Sequence, residues 1–145
     1  MKLRTKARSI ALQVLYEVDM AHHPPAVVLQ ERLEDTPMDV ELAEFSRQIL
    51  FGVLSQVEAL DNCIAQHAPE WPLDQVAVVD RNILRIALWE FAVEGSTPVK
   101  VAINEAVELA KLYGSDSTPR FVNGVLGSLA ARQNEIQQLF VHTTK

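Results

Sequence analysis

The chain has 145 residues, 48% of them hydrophobic and 22% charged, with a net charge of −6; this is the composition of an ordinary globular domain and excludes a disordered chain. At this length folding buries roughly 68–70% of the unfolded surface, so the core needs no metal or disulfide staple. Cys63, the single cysteine, offers neither an internal disulfide nor a thiolate metal site and suits a reducing cytoplasm.

In chain order, the first feature is a basic tip. Lys2, Arg4, Lys6 and Arg8 place four of the 13 basic residues within eight positions, leaving nine against 19 acids in the rest of the chain, a balance of −10. An acidic body opposes non-specific nucleic-acid binding, while a local basic cluster can still grip a few phosphates. Ala7, Ile10, Ala11, Val14, Leu15 and Val18 then mark an apolar helical stripe that ends at His22, His23, Pro24 and Pro25. Gln13 and Glu17 interrupt that stripe, and no small-residue cleavage site follows, so the amino terminus reads as part of the mature fold rather than a signal peptide. No apolar run approaches the roughly 20 residues that a membrane span requires.

A short helix fits Ala26 to Leu33. A long stripe from Leu42 to Ile64 follows the cap Asp39, reaches Pro69 and bends or splits near Gly52, with Trp71 and Pro72 in the break beyond it. Leu73 to Val93 reads as the central core helix, stopping at Gly95. Pro98 precedes a helix through Val101, Val107, Leu109, Ala110 and Leu112, with Gly114 as a left-handed stop. Ser117 or Thr118 caps a further helix with Pro119 in its first position, whose Gly124 and Gly127 would admit a close neighbour. With no repeat or linker, this predicts one compact all-α domain over residues 1–145, of about six or seven helices.

Three strings carry the reading further: VVDRNILRIALWE at Val78 to Glu90, VAINEAVELAKLYG at Val101 to Gly114, and FVNGVL at Phe121 to Leu126. With the opening basic helix and its Ala11 to Tyr16 ending, they resemble, in order and spacing, the NusB family of transcription antitermination factors over about residues 4–131. Residues 132–145 look like a variable tail. The resemblance implies an all-α fold of about seven helices in two packed bundles and no enzymatic activity. It implies a cytoplasmic factor that binds boxA-type single-stranded leader RNA together with NusE, the ribosomal protein S-ten. The pair would then load onto RNA polymerase elongation complexes with other Nus factors and support ribosomal RNA transcription. Some family members form homodimers, which makes a second copy of this chain a further candidate partner.

At 100° per residue, Arg4 and Arg8 flank one edge of the first stripe while Lys2 and Lys6 lie on its solvent side, so both pairs can face RNA. Four phosphate contacts to a single strand would give a salt slope of about −2.8. Replacing Arg4 and Arg8 is accordingly expected to weaken RNA binding with little effect on melting. A second RNA surface is expected where the last helix begins. An uncapped first turn near Ser117 attracts phosphate, Arg120 adds charge, and Phe121 either stacks on an unpaired base, as the resemblance implies, or belongs to the core, as its periodicity favours. The family often has an acid where Ser117 stands. NusE contacts map by resemblance to Tyr16 and Asp80.

Other chemistry finds less support. Glu90, Glu105 and Arg85 lie in apolar helical segments and read as buried ion pairs rather than a catalytic pair, and Asn104 and Asn123 as braces between helices. His22, His23, His67 and His142 lack metal-ligand spacing, so neither a metal nor any other cofactor is expected. Two rival functions are a helical protein-interaction adaptor, in which the basic tip is only a solubility feature, and an RNA-binding module like that of certain ribosomal RNA cytosine methyltransferases. The latter would need a catalytic domain for which the 145 residues leave no room.

Overall fold

The computed structural model describes residues 2–70 and 72–143, with the side chains of 142 and 143 excepted. Trp71, the His142 side chain and residues 144–145 therefore lie outside the described residues. Eight α-helices are present among those described, and no strand.

Helix α1 (Leu3–Ala21) buries Ala7, Ile10, Ala11, Val14 and Leu15 along the expected stripe and ends at His22, whose φ of 57° is left-handed. The two prolines that follow cannot extend it, and Pro25 opens α2 (Pro25–Asp35) instead. Asp39 caps α3 (Val40–Ser55) by accepting from the Leu42 N–H at 3.0 Å. The long stripe splits, but at Gln56 rather than Gly52, giving α4 (Val57–His67) as a separate helix. Gly52 has another role: a Cβ there would overlap the Trp89 indole, so its missing side chain is what lets that ring lie against α3.

The stretch expected as one helix from Leu73 is a single 3₁₀ turn, Leu73–Gln75, followed by α5 (Val78–Leu88). Helix α5 then widens into a π-helical segment, Trp89–Glu94, stopped by Gly95 at φ 83°. Helices α6 (Val99–Tyr113) and α7 (Thr118–Ala130) follow. Gly114 between them is extended, not left-handed, at φ −90° and ψ −176°. Gly124 and Gly127 face outward with open space where a Cβ would stand, so they admit no neighbouring helix.

The tail is also more than a tail. Residues Gln133–Thr143 form α8, which buries Ile136 and Phe140. Gln137 Nε2 donates to the Phe91 carbonyl at 2.8 Å, satisfying a backbone group in the π-helical segment.

The architecture is two bundles sharing one core. Helix α1 packs on α2 and α3 on one side and on α5 and α6 on the other, while α5, α6 and α7 pack on one another and α4 touches both groups. Arg85 fastens the junction. Its Nε and Nη2 donate to the two Asp61 oxygens at 2.8 and 2.7 Å, and Nη1 to Asp19 at 3.1 Å, tying α5 to α4 and α1. No helix among the described residues is long and apolar enough to cross a membrane.

Candidate nucleic-acid and partner surfaces

The basic tip divides on folding. Lys2 and Arg4 are exposed and Lys6 is half-buried, but Arg8 is 3% exposed. Its guanidinium donates to both oxygens of Glu90, at 2.8 and 2.7 Å, and to Glu105 at 2.9 Å. Burial by itself would lower the Arg8 pKa; the bonds and charges of Glu90 and Glu105 outweigh it, and the pKa is raised. Thr5 adds a 2.6 Å bond to Glu105.

Arg8 is thus not the RNA-facing cation that helix geometry suggested. Charges at the edge of an apolar stripe face inward when a neighbouring helix supplies acids, and α6 and the π-helical segment supply Glu105 and Glu90. The same bonds make Glu90 and Glu105 the structural ion-pair members expected of them. Arg4, one turn earlier, is exposed; its guanidinium carbon lies 4.5 Å from the centroid of the Phe45 ring, which Arg8 also overlies at 5.1 Å.

From the two regions expected to meet RNA, far apart in sequence, Lys2 and Arg120 line one groove, whereas Arg4, Lys6, Ser117 and Phe121 do not line it. The start of α1, the outer face of α6 and the start of α7 enclose a volume of about 980 Å³ lined by Lys2, Asn104, Glu108, Lys111, Arg120 and Asn123 among others. Asn104 and Asn123 are not braces; both are exposed and line this groove. Lys111 and the two asparagines were missed as site residues. A signal existed, because Asn104 and Lys111 are seven apart and Arg120 and Asn123 three apart, spacings that share one helix face.

A second groove, of about 720 Å³, runs between the start of α5 and α7 and is lined by Asp80, Ser117, Arg120, Phe121 and Gly124. Arg120 borders both grooves. Phe121 is half-buried: it packs against the core, as its periodicity favours, and also lines this groove. Ser117 is exposed and makes no side-chain capping bond at the start of α7. Its neighbour Thr118 is buried and donates to Asp80 at 3.0 Å. Desolvation raises the Asp80 pKa, with the Thr118 bond opposing.

Tyr16 and Asp80, the residues mapped to NusE, line different cavities. Tyr16, 41% exposed, lines a separate cavity of about 320 Å³ with Gln13, Arg32, Val79 and Tyr113, whereas Asp80, next to Val79 in the chain, lines the α5/α7 groove. Around the Tyr16 cavity, Gln13 donates to the Tyr113 hydroxyl at 3.0 Å and Ser9 pairs with the same hydroxyl. Arg32 donates to Gln13 and Glu17.

The sequence model of the NusB family matches residues 5–131, which include every lining residue of both grooves except Lys2. The chain belongs to the NusB family. It is 49% identical over 135 residues to the transcription antitermination protein NusB of Roseiflexus castenholzii, covering 92% of this chain and 95% of that one. Among solved structures it superposes on T. maritima NusB with a TM-score of 0.81 at 32% identity, covering 88% and 90% of the two chains. It is also similar to the antitermination factor NusB solved with NusE and double-stranded RNA, at TM-score 0.80 and 27% identity, covering 88% of this chain and 96% of that one.

Proposed function

We propose that this chain is a transcription antitermination factor that holds boxA-type single-stranded leader RNA across the α1/α6/α7 groove, with NusE bound beside it. One observation carries this: folding brings Lys2 and Arg120, 118 positions apart in the chain, to the lining of one groove. Phosphate contacts from such cations supply sequence-independent affinity and position the strand. The likeness to a NusB solved with NusE and double-stranded RNA supports RNA and NusE as the kinds of partner.

The unpaired strand is favoured over a duplex because Phe121 lies at the surface of the adjoining groove, where an unstacked base can meet its ring. Lys2, Lys6, Arg4, Ser117, Arg120 and Phe121 are the RNA residues of this assignment; Arg8 acts only as the internal brace of the tip. Tyr16 and its cavity on the α1/α2 side are assigned to NusE, since a tyrosine can bury its ring against a partner and keep its hydroxyl bonded. Asp80 would mark where the two surfaces meet. The resulting complex would join RNA polymerase elongation complexes with other Nus factors in the cytoplasm and support ribosomal RNA synthesis. No catalytic step is assigned, because Glu90, Glu105 and Arg85 are all engaged in ion pairs.

Fluorescence anisotropy with a labelled boxA RNA and a scrambled strand of equal composition, each with and without NusE, tests the assignment. Preference for boxA that tightens with NusE is expected. Equal weak binding to both strands under both conditions would overturn it in favour of a protein-interaction adaptor.

A further inference from the structure

Asn104 of α6 and Asn123 of α7 are exposed, line the same groove and make no side-chain hydrogen bond to any described residue. The charges beside them are unevenly compensated. Glu105 is held by Arg8 and Thr5, and Glu108 lies 3.6 Å from Lys111, whereas Lys2 and Arg120 form no ion pair among the described residues. Two cations without an ion pair therefore share the lining with two neutral carboxamides in a groove of about 980 Å³, the size of sites that enclose drug-sized molecules and ample for a nucleotide.

The chemistry of the amide decides what it suits. A phosphate presents acceptors only, so half of each carboxamide would be idle against it, and lysine or arginine would serve better. A nucleobase edge presents a donor and an acceptor side by side, which a carboxamide matches with two bonds, adenine being the base that asparagine pairs best. Unpaired strands expose both their Watson–Crick and Hoogsteen edges for such contacts.

We propose that Asn104 and Asn123 are the base-reading residues of this groove, selecting adenine in an unpaired RNA strand while Lys2 and Arg120 hold the adjacent phosphates. This rests on the RNA-binding function assigned above and adds where sequence discrimination resides.

The test compares a boxA RNA with the same strand after its adenines are changed to guanine, using the full chain with NusE in anisotropy titrations over a range of salt. Wild type is expected to prefer the adenine strand. Asn104→Ala and Asn123→Ala should each reduce that preference by about 5- to 150-fold, the value of a bidentate base contact, and leave the salt slope unchanged. Lys2→Ala with Arg120→Ala should instead weaken both strands alike and flatten the slope by about 1.4. A preference that survives both asparagine substitutions, or a wild type without preference, would overturn the base-reading assignment alone. A wild type that binds neither strand would overturn the RNA-binding function with it. Both asparagines are exposed, so unchanged thermal melting curves are expected to accompany the loss of preference.

Discussion

Arg8 and Glu90, 82 positions apart in the chain, meet through two parallel hydrogen bonds of 2.8 and 2.7 Å, with the side chains 4% and 2% exposed. This pair, extended by Glu105, welds the basic first helix to the π-helical segment and to α6. Removing one member of such a cluster is far more costly than never having built it, because the remaining charges stay buried without a partner.

Arg8→Ala should therefore lower the unfolding free energy by roughly 3–5 kcal/mol, measured by urea denaturation. Arg4→Ala, which loses the contact of an exposed guanidinium with the half-buried Phe45 ring, should cost no more than about 1 kcal/mol. The expectation from sequence that both arginines could be replaced with little change in melting is kept for Arg4 and withdrawn for Arg8, which is buried against Glu90 and Glu105. Equal small losses for the two would refute the brace.

Helix α8 should prove integral to the fold. Ile136 is fully buried, and Ile136→Ala is expected to destabilise by about 2–5 kcal/mol through lost burial and the cavity left behind. Thermal denaturation of the single variant decides the matter: a peripheral tail would tolerate the change with no shift in Tm.

Cys63 should resist thiol reagents while the protein is folded. Burial pushes its thiol up to about 11 and leaves it 3% exposed, so the reactive thiolate is scarce at neutral pH. Colorimetric titration with a disulfide reagent at pH 8 should show negligible release from native protein and one equivalent after addition of denaturant. Rapid labelling of the native state would contradict the packing of α4.

Glu17 gives a pH dependence of known sign. Its carboxyl is held below the ordinary value of 4.5, chiefly by the hydrogen bond with His23, with partial desolvation opposing and Arg32 adding to the effect. A lowered native pKa means that the ionised group stabilises the fold above 4.5 and loses this contribution as pH falls through the native pKa. Glu17→Gln should accordingly reduce Tm slightly near neutrality, with the difference from wild type vanishing in acid. Melting curves from pH 7 down to about 3, still below most native carboxyl values, would show it; a difference that grows toward acid would reverse the sign.

Local signals were legible where the responsible atoms are neighbours in the chain. The Asp39 cap, the prolines that end α1 and begin α2, the stop at Gly95 and the apolar stripe of α1 all act within a turn or two of themselves. Boundaries that depend on packing were not legible. The break at Gln56, the π-helical widening after Leu88 and the docking of α8 follow from what lies across the core, such as the Trp89 indole against Gly52 and the Gln137 amide on the Phe91 carbonyl.

From residue order alone came an all-helical NusB relative with cations at its front and at the start of α7, because helical periodicity and motif spacing are properties of contiguous sequence. Only the folded chain buried Arg8 while leaving Lys2 and Arg4 exposed, gave Tyr16 and Asp80 different cavities, and put Asn104 and Asn123 in the lining of one groove. Whether a side chain at the margin of a stripe meets solvent or a buried carboxylate depends on the helix packed against it, and that helix is distant in the chain.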